Sequence, residues 1–339
     1  MINKSYKHWM IVFFMCCLAA SSIGLCTNAI GVFYTPVSKS LHILRGTFSM
    51  HMTLFSLATA IISLFVPKIY QKFSFKKILT FSVIIAVVST AAMALGKNAI
   101  TFYILGAIRG MSTSLFSIVP ITMIINGWFE KKHGLATSIA FGFSGLGGTL
   151  CSPVLSSVIS SFNWQMGYLL KAVILLLLCL PAVLYPFSMN AKDEGLLPYG
   201  YQEKHETTQN QATSSFHFMS ISFIAFFIFG MLISCITSVT QHLPGYGESL
   251  GFPLTSCAIL LSAGMMGNIV SKLIIGSLSD HFGEMKATLM MISVNILGID
   301  LLIIGRSMTL LIVGAFLFGS CYSLGAVAVP LLTKYFFKT

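Results

Sequence analysis

Gly267-Asn-Ile-Val-Ser-Lys272-Leu-Ile-Ile-Gly276-Ser-Leu-Ser-Asp280-His-Phe-Gly283-Glu-Met-Lys286 sets one cation among apolar residues and then ends in a tight, charged turn. A cation inside a hydrophobic span costs roughly 2.5 to 3.5 kcal/mol even on the mild insertion scale, so Lys272 is a functional candidate by default. The rest of the chain reads as the scaffold that tolerates it.

That scaffold is a membrane one. Of 339 residues, 56% are hydrophobic and 9% charged, whereas about a quarter charged is usual in soluble domains. Apolar runs of about twenty residues, long enough to cross a hydrocarbon core, recur along the sequence. The alternating segments of about ten residues that build transmembrane barrels are absent. Ten spans are expected, at residues 9–34, 47–67, 77–96, 99–125, 135–160, 166–187, 217–241, 253–278, 287–305 and 308–332. The basic start followed by a long first run reads as an uncleaved helix, because no small-residue cleavage site ends it.

The formal charge of +11 is topological and does not point to nucleic acid. With the N-terminus cytoplasmic, thirteen Lys and Arg lie in inside loops and four (Lys39, Arg45, Lys97, Arg306) in outside loops, which places both termini in the cytoplasm. Arg109, Lys171 and Lys272 fall in or near spans. All eight cysteines, Cys179 among them, sit in apolar runs with no CxxC, so neither a disulfide framework nor a zinc site is implied. No cofactor, metal site or catalytic set is indicated, and His51 has no second ligand at suitable spacing.

Residues 190–215 are the one linker-like stretch, dividing an N-terminal six-helix bundle (1–189) from a C-terminal four-helix one (216–339). The halves look like repeats. The turn after span two, from Pro67, and the turn after span eight, from Gly276, are 209 residues apart, and Val119-Pro120 recurs as Val329-Pro330 at 210. Spans seven to ten therefore match spans one to four, with no partners for spans five and six.

Gly276-x-x-x-Asp280-x-x-Gly283-x-x-Lys286 resembles the loop motif of the major facilitator superfamily. The first copy is degenerate, with Pro67, Gln71 and Ser74 at the Gly, Asp and Gly places, while Lys72, Lys76 and Lys77 keep its basic character. A narrower likeness runs through Gly31-Val-Phe-Tyr34-Thr-Pro36, Trp128-Phe-Glu-Lys131-Lys132-His-Gly134-Leu-Ala136, the glycine-rich phrase Gly142 to Gly148, Pro153 and Trp164. This is similar to the bacterial branch related to oxalate/formate antiporters and monocarboxylate transporters. The resemblance implies an all-α membrane protein, a facilitator-like bundle of about ten helices (six plus four, pseudo-repeat) where members have twelve.

It further implies alternating-access transport of a small carboxylate-like anion, driven by a proton or an exchanged anion, with the lipid bilayer as the other partner. Lys272 stands where the branch carries Arg, and would contact the anion as a point charge; the alternative is that it snorkels about 9 Å to the cytoplasmic end. Arg109 matches an Arg common in the superfamily's fourth helix, and would contact substrate or else bond backbone carbonyls of a neighbour. Asn28, Tyr34 and Gln241 would line the cavity, or serve as glue between helices. Gly276, Asp280, Gly283 and Lys286, with Lys72 and Lys76, are expected to gate. Gly142, Gly145, Gly148 and Pro153 are expected to let span five approach a neighbour. Asp300 is the only carboxylate clearly inside a span. Without two helices, the chain alternatively reads as a truncated, transport-incompetent relative that binds or assembles, or that has no function; a homo-oligomer would be one way to complete the core.

Overall fold

The computed structural model describes residues 4–201, 221–329 and 332. Helix dominates, because backbone polar groups in a bilayer must be satisfied within the segment that carries them. Among the described residues, nine helices are long and apolar enough to cross a membrane, or up to ten when Arg45–Ser63 and Val66–Lys72, bent by 53°, count as one. Tyr6–Asn28 is span one and that pair span two, followed by Phe75–Leu95, Ala99–Trp128, Leu135–Ser161, Trp164–Leu184, Phe223–Ser249, Leu254–Ile275, Glu284–Ile304 and Met308–Ala328. Each falls on one of the ten apolar runs. The main departure is span one, expected to continue to residue 34. Its last nine residues, Ala20–Asn28, are wound as a π-helix, Ala29 N–H donates to the Gly24 carbonyl at 3.0 Å, and a separate helix, Gly31–Ser40, follows.

Lipid-facing and inward faces are distinct in kind. Span three turns Phe81, Ile84 and Val88 outward and buries Ser82, Ala86, Ser89 and Thr90. Small and polar residues inside let helices approach closely, since in lipid there is no hydrophobic force to draw them together.

The chain divides into two compact units, Met1–Tyr201 with Gln241–Ser262, and Gln202–Thr240 with Ala263–Thr339. Of the expected linker at 190–215, residues 202–215 lie outside the described ones. The part before them is tied into the first unit. Trp128 Nε1 donates to the Ser188 carbonyl at 2.9 Å, Lys7 pairs with Glu194, and Tyr199 N–H donates to the Trp128 carbonyl at 2.8 Å. The Trp128-Phe129 phrase is thus a docking point for the segment that follows span six. Lys76 donates to the Ala182 and Tyr185 carbonyls at the end of span six, and its ammonium lies 4.0 Å from the Phe187 ring centroid. At the other end of the unit, Lys39 pairs with Glu248, and Arg45 reaches Thr35 Oγ1 at 3.4 Å.

The internal repeat is present in three dimensions. Ser74 and Gly283 cap the helices that start at Phe75 and Glu284; Asn98 and Ser307 cap those that start at Ala99 and Met308, and each pair is 209 residues apart. Close approaches repeat with the same offset. A Cβ on Gly110 would collide with the Phe55 backbone, and one on Gly319 with the Gly264 backbone. Gly283 takes φ +85°, ψ 158°, a region nearly closed to other residues, whereas its counterpart Ser74 sits at φ −60°, ψ 124°. This explains why the degenerate copy can dispense with glycine.

The packing role expected of Gly142 is not what the structure shows: a Cβ there would meet nothing within 4 Å among the described residues. The contact falls at Gly147, where a Cβ would lie 2.7 Å from the Ala20 carbonyl oxygen and 3.1 Å from Gly24 Cα. Gly142 lies well over a helical turn from Gly147 and on another face. Gly145 and Gly148 are buried, and Pro153 is accommodated within the same helix. Gly110→Leu is accordingly expected to cost about 2 kcal/mol or more through overpacking against backbone, while Gly142→Leu leaves stability within about 0.5 kcal/mol. Thermal unfolding of the two variants in detergent checks this, and equal losses would contradict the packing.

Candidate functional site

Two cations lie at the centre of the first unit, both 0% exposed: Arg109 on span four and Lys171 on span six. Helical spacing aims them. Phe102 and Arg109 are seven residues apart, as are Trp164 and Lys171, with Tyr168 between the latter pair, so each set shares one helix face. Phe48 and His51 do the same on span two, and the helix Gly31–Ser40 contributes Phe33 and Tyr34.

The rings meet one another around the cations. Phe33 and Tyr168 centroids are 4.2 Å apart, Phe48 and His51 4.6 Å, Phe48 and Phe102 5.1 Å, and Phe102 and Trp164 5.9 Å. Tyr34 lies 5.0 Å from His242 and 6.3 Å from His51. The Lys171 ammonium stands 5.3 Å from the Phe33 centroid, and the Arg109 guanidinium 5.1 Å from that of Phe55. Arg109 is within electrostatic range of Tyr34, His51, Tyr168 and Lys171.

The polar inventory is incomplete. Arg109 donates to two thioethers, Met93 Sδ at 3.5 Å and Met52 Sδ at 3.3 Å, which are weak acceptors. Arg109 Nε, Lys171 Nζ, the Tyr168 hydroxyl and His51 Nε2 have no hydrogen-bond partner among the described residues. His51 Nδ1 faces the Phe48 carbonyl at 2.6 Å, which requires the proton on Nδ1 and leaves the Nε2 lone pair free to accept when the ring is neutral. Neither ion pair found among the described residues, Lys7–Glu194 or Lys39–Glu248, involves these cations. The site therefore offers two positive donors, a phenol and an imidazole acceptor, enclosed by aromatic faces.

The sequence marked Arg109 but passed over Lys171, noted only as lying in or near a span. The signal was there, in a lysine seven residues inside the run that starts at Trp164. The carbonyl-bonding alternative for Arg109 is not realised, since no such bond is present among the described residues. Asn28 and Gln241 do act between helices. Asn28 Nδ2 donates to the Ser144 carbonyl at 3.1 Å, and the Gln241 amide, in the orientation that satisfies its neighbours, donates to the Asn28 carbonyl at 2.9 Å. Tyr34 remains on the wall of the cation site. Lys272 belongs to the second unit and is half-buried, within electrostatic range of Cys321. Lys72 and Lys286 are exposed, as is Asp300, and the side chains of Gly276 and Asp280 lie outside the described residues. No group of three or more metal-ligating side chains occurs among the described residues.

The model of the Major Facilitator Superfamily matches residues 16–338. The chain belongs to that superfamily. It is a multi-pass membrane protein by its apolar helices, and its superfamily is one of transporters, not of enzymes. Among curated relatives, an uncharacterised facilitator-type transporter, YcxA of Bacillus subtilis, is 24% identical over 47% of this chain and 39% of its own length. The facilitator-type transporter pynF of Aspergillus niger is 24% identical over 83% of this chain and 63% of its own. The chain thus spans less than two thirds of the length of either. Among solved structures, the nucleoside transporter NupG superposes with a TM-score of 0.70 at 15% identity, covering 99% of this chain and 83% of that one. A D-xylose-proton symporter gives 0.66 at 14%, covering 96% and 82%. These two likenesses establish the fold.

An unpaired buried cation destabilises the empty protein, and its removal is expected to relieve that cost. Lys171→Met should raise stability by about 1 kcal/mol or more in the absence of added anions. Melting of the purified variant in detergent tests it; a lower melting temperature than wild type would mean that Lys171 has a structural partner.

Proposed function

We propose that the chain carries out secondary active transport of a small organic anion by alternating access, as a relative of the oxalate/formate and monocarboxylate branch. The observation that carries this reading is the pair Arg109 and Lys171, both fully buried and without a carboxylate partner among the described residues. Burying a charge without compensation costs several kcal/mol. A bound anion supplies what the fold omits, and its carboxylate would bridge Lys171 Nζ and Arg109. Tyr34 lines this site, and Lys272 is proposed as an anion contact of the second unit in its own right. The gating role is assigned to the turn around Asp280, Gly283 and Lys286 in the second unit and to Lys72 and Lys76 in the first. The nucleoside and xylose specificities in the names of the structural neighbours favour no particular substrate here, because a fold hosts many.

Uptake of labelled carboxylates into proteoliposomes tests the reading directly. Arg109→Gln and Lys171→Gln should each lower uptake at least tenfold, and Lys272→Gln should lower it severalfold; unchanged uptake in the first two would remove the basis for an anion. The proposed orientation, both termini cytoplasmic in the cell membrane, predicts that a cysteine at Lys39 in a cysteine-free background reacts with an impermeant maleimide from outside cells, and that one at Asp193 does not. The reverse pattern would invert the topology.

A further inference from the structure

Building on the anion reading of the Arg109–Lys171 site, we propose that its preferred occupant is an aryl carboxylate, one acidic group on a flat aromatic body. The argument starts from the balance between donors and walls. A small hydrophilic anion such as formate or oxalate presents mostly lone pairs, and must be met by donors on nearly every side to replace its hydration. Here the partnerless donors are few: Lys171 Nζ, Arg109 Nε, the Tyr168 hydroxyl and, one turn along the helix from Arg109, the Thr113 hydroxyl.

Besides Phe55 and the Met52 and Met93 thioethers on Arg109, six buried rings gather there, Phe33, Tyr34, Phe48, Phe102, Trp164 and Tyr168. Four independent helices, in spans two, four and six and the helix Gly31–Ser40, each send aromatic side chains to this one place. The centroid spacings, 5.9 Å for Tyr34–Phe48 and 6.0 Å for Phe102–Tyr168, lie within the range for edge-to-face and offset stacking. An aryl group that inserts among these rings would exchange one ring–ring contact for its own, while its carboxylate bridges the two cations. A ring hydroxyl, where present, would find the free Nε2 of His51 as an acceptor. An aliphatic acid of equal size would gain the burial and forgo the ring pairing.

The test is a ligand panel on the full-length protein in detergent, read as the shift in melting temperature with concentration. The probes are sodium benzoate, 4-hydroxybenzoate, cyclohexanecarboxylate, formate and oxalate. Benzoate is expected to bind at least tenfold more tightly than cyclohexanecarboxylate, which has the same charge and similar bulk, and more tightly than formate or oxalate. The preference should shrink in Trp164→Leu while binding of the aliphatic acid persists. Equal binding of benzoate and cyclohexanecarboxylate, or tighter binding of oxalate or formate, would overturn the aryl preference and leave the anion site standing. No shift with any carboxylate would overturn both. If Trp164→Leu fails to fold, the wild-type panel still decides.

Discussion

The first unit is built around an electrostatic cost that its own residues do not cancel. Arg109 and Lys171 are both sealed from solvent, and they sense each other's charge. What the protein sets against them is soft: two methionine sulfurs on the guanidinium, and ring faces at 5.1 Å and 5.3 Å. Cation–π contacts contribute about 0.5 to 2 kcal/mol, less than an ion pair's attraction in the same low dielectric. Weak partners leave the cations affordable yet available. A carboxylate from the chain itself would have stabilised the fold and filled the site permanently.

The helices that hold these cations are kept in place by backbone-on-backbone contact, twice over. Gly110 against Phe55 and Gly319 against Gly264 are the same crossing in the two halves, displaced by 209 residues. In the first half, hydroxyls reinforce it, Thr59 Oγ1 donating to the Gly110 carbonyl at 3.0 Å and Ser114 Oγ to that of Thr59 at 3.2 Å. Arg109 adjoins this crossing, so its position is fixed by a backbone-on-backbone contact. In the second half the equivalent position is Phe318, 2% exposed, and the cation lies elsewhere, at Lys272. The fold is duplicated and the chemistry is not.

Much of this was legible in the amino-acid sequence because it is local. Apolar runs of sufficient length marked the nine membrane-spanning helices among the described residues and the bent pair that makes a tenth, and turn residues at a constant offset marked the repeat, down to the helix caps. The site was less legible because it is assembled from residues far apart in sequence, Phe33, His51, Phe102 and Tyr168, each of which alone looks like an ordinary apolar-span residue. Lys171 was visible as a charge, but nothing local distinguishes a lysine that reaches an interface from one sealed among rings. The glycine phrase misled for a related reason. Several glycines on one helix announce a close approach without saying which of them faces it, and Gly147 rather than Gly142 does.

The π-wound segment Ala20–Asn28 has a consequence for how this bundle can be altered. A π-turn holds one more residue than the α-turn it replaces, and in an α-helix one residue is about 100° of rotation. The turn at Ala29 and Ile30 that launches the helix of Phe33 and Tyr34 starts where that segment ends, and the segment's crossing with Gly147 is itself pinned by Gly24. A chimera in which a relative supplies residues 20–28 would replace that winding and shift the point from which the helix of Phe33 and Tyr34 sets out. A junction that leaves residues 20–40 intact would preserve it. The first helix acts in this sense as an angular ruler, and its winding is as much a determinant of the site as the residues that line it.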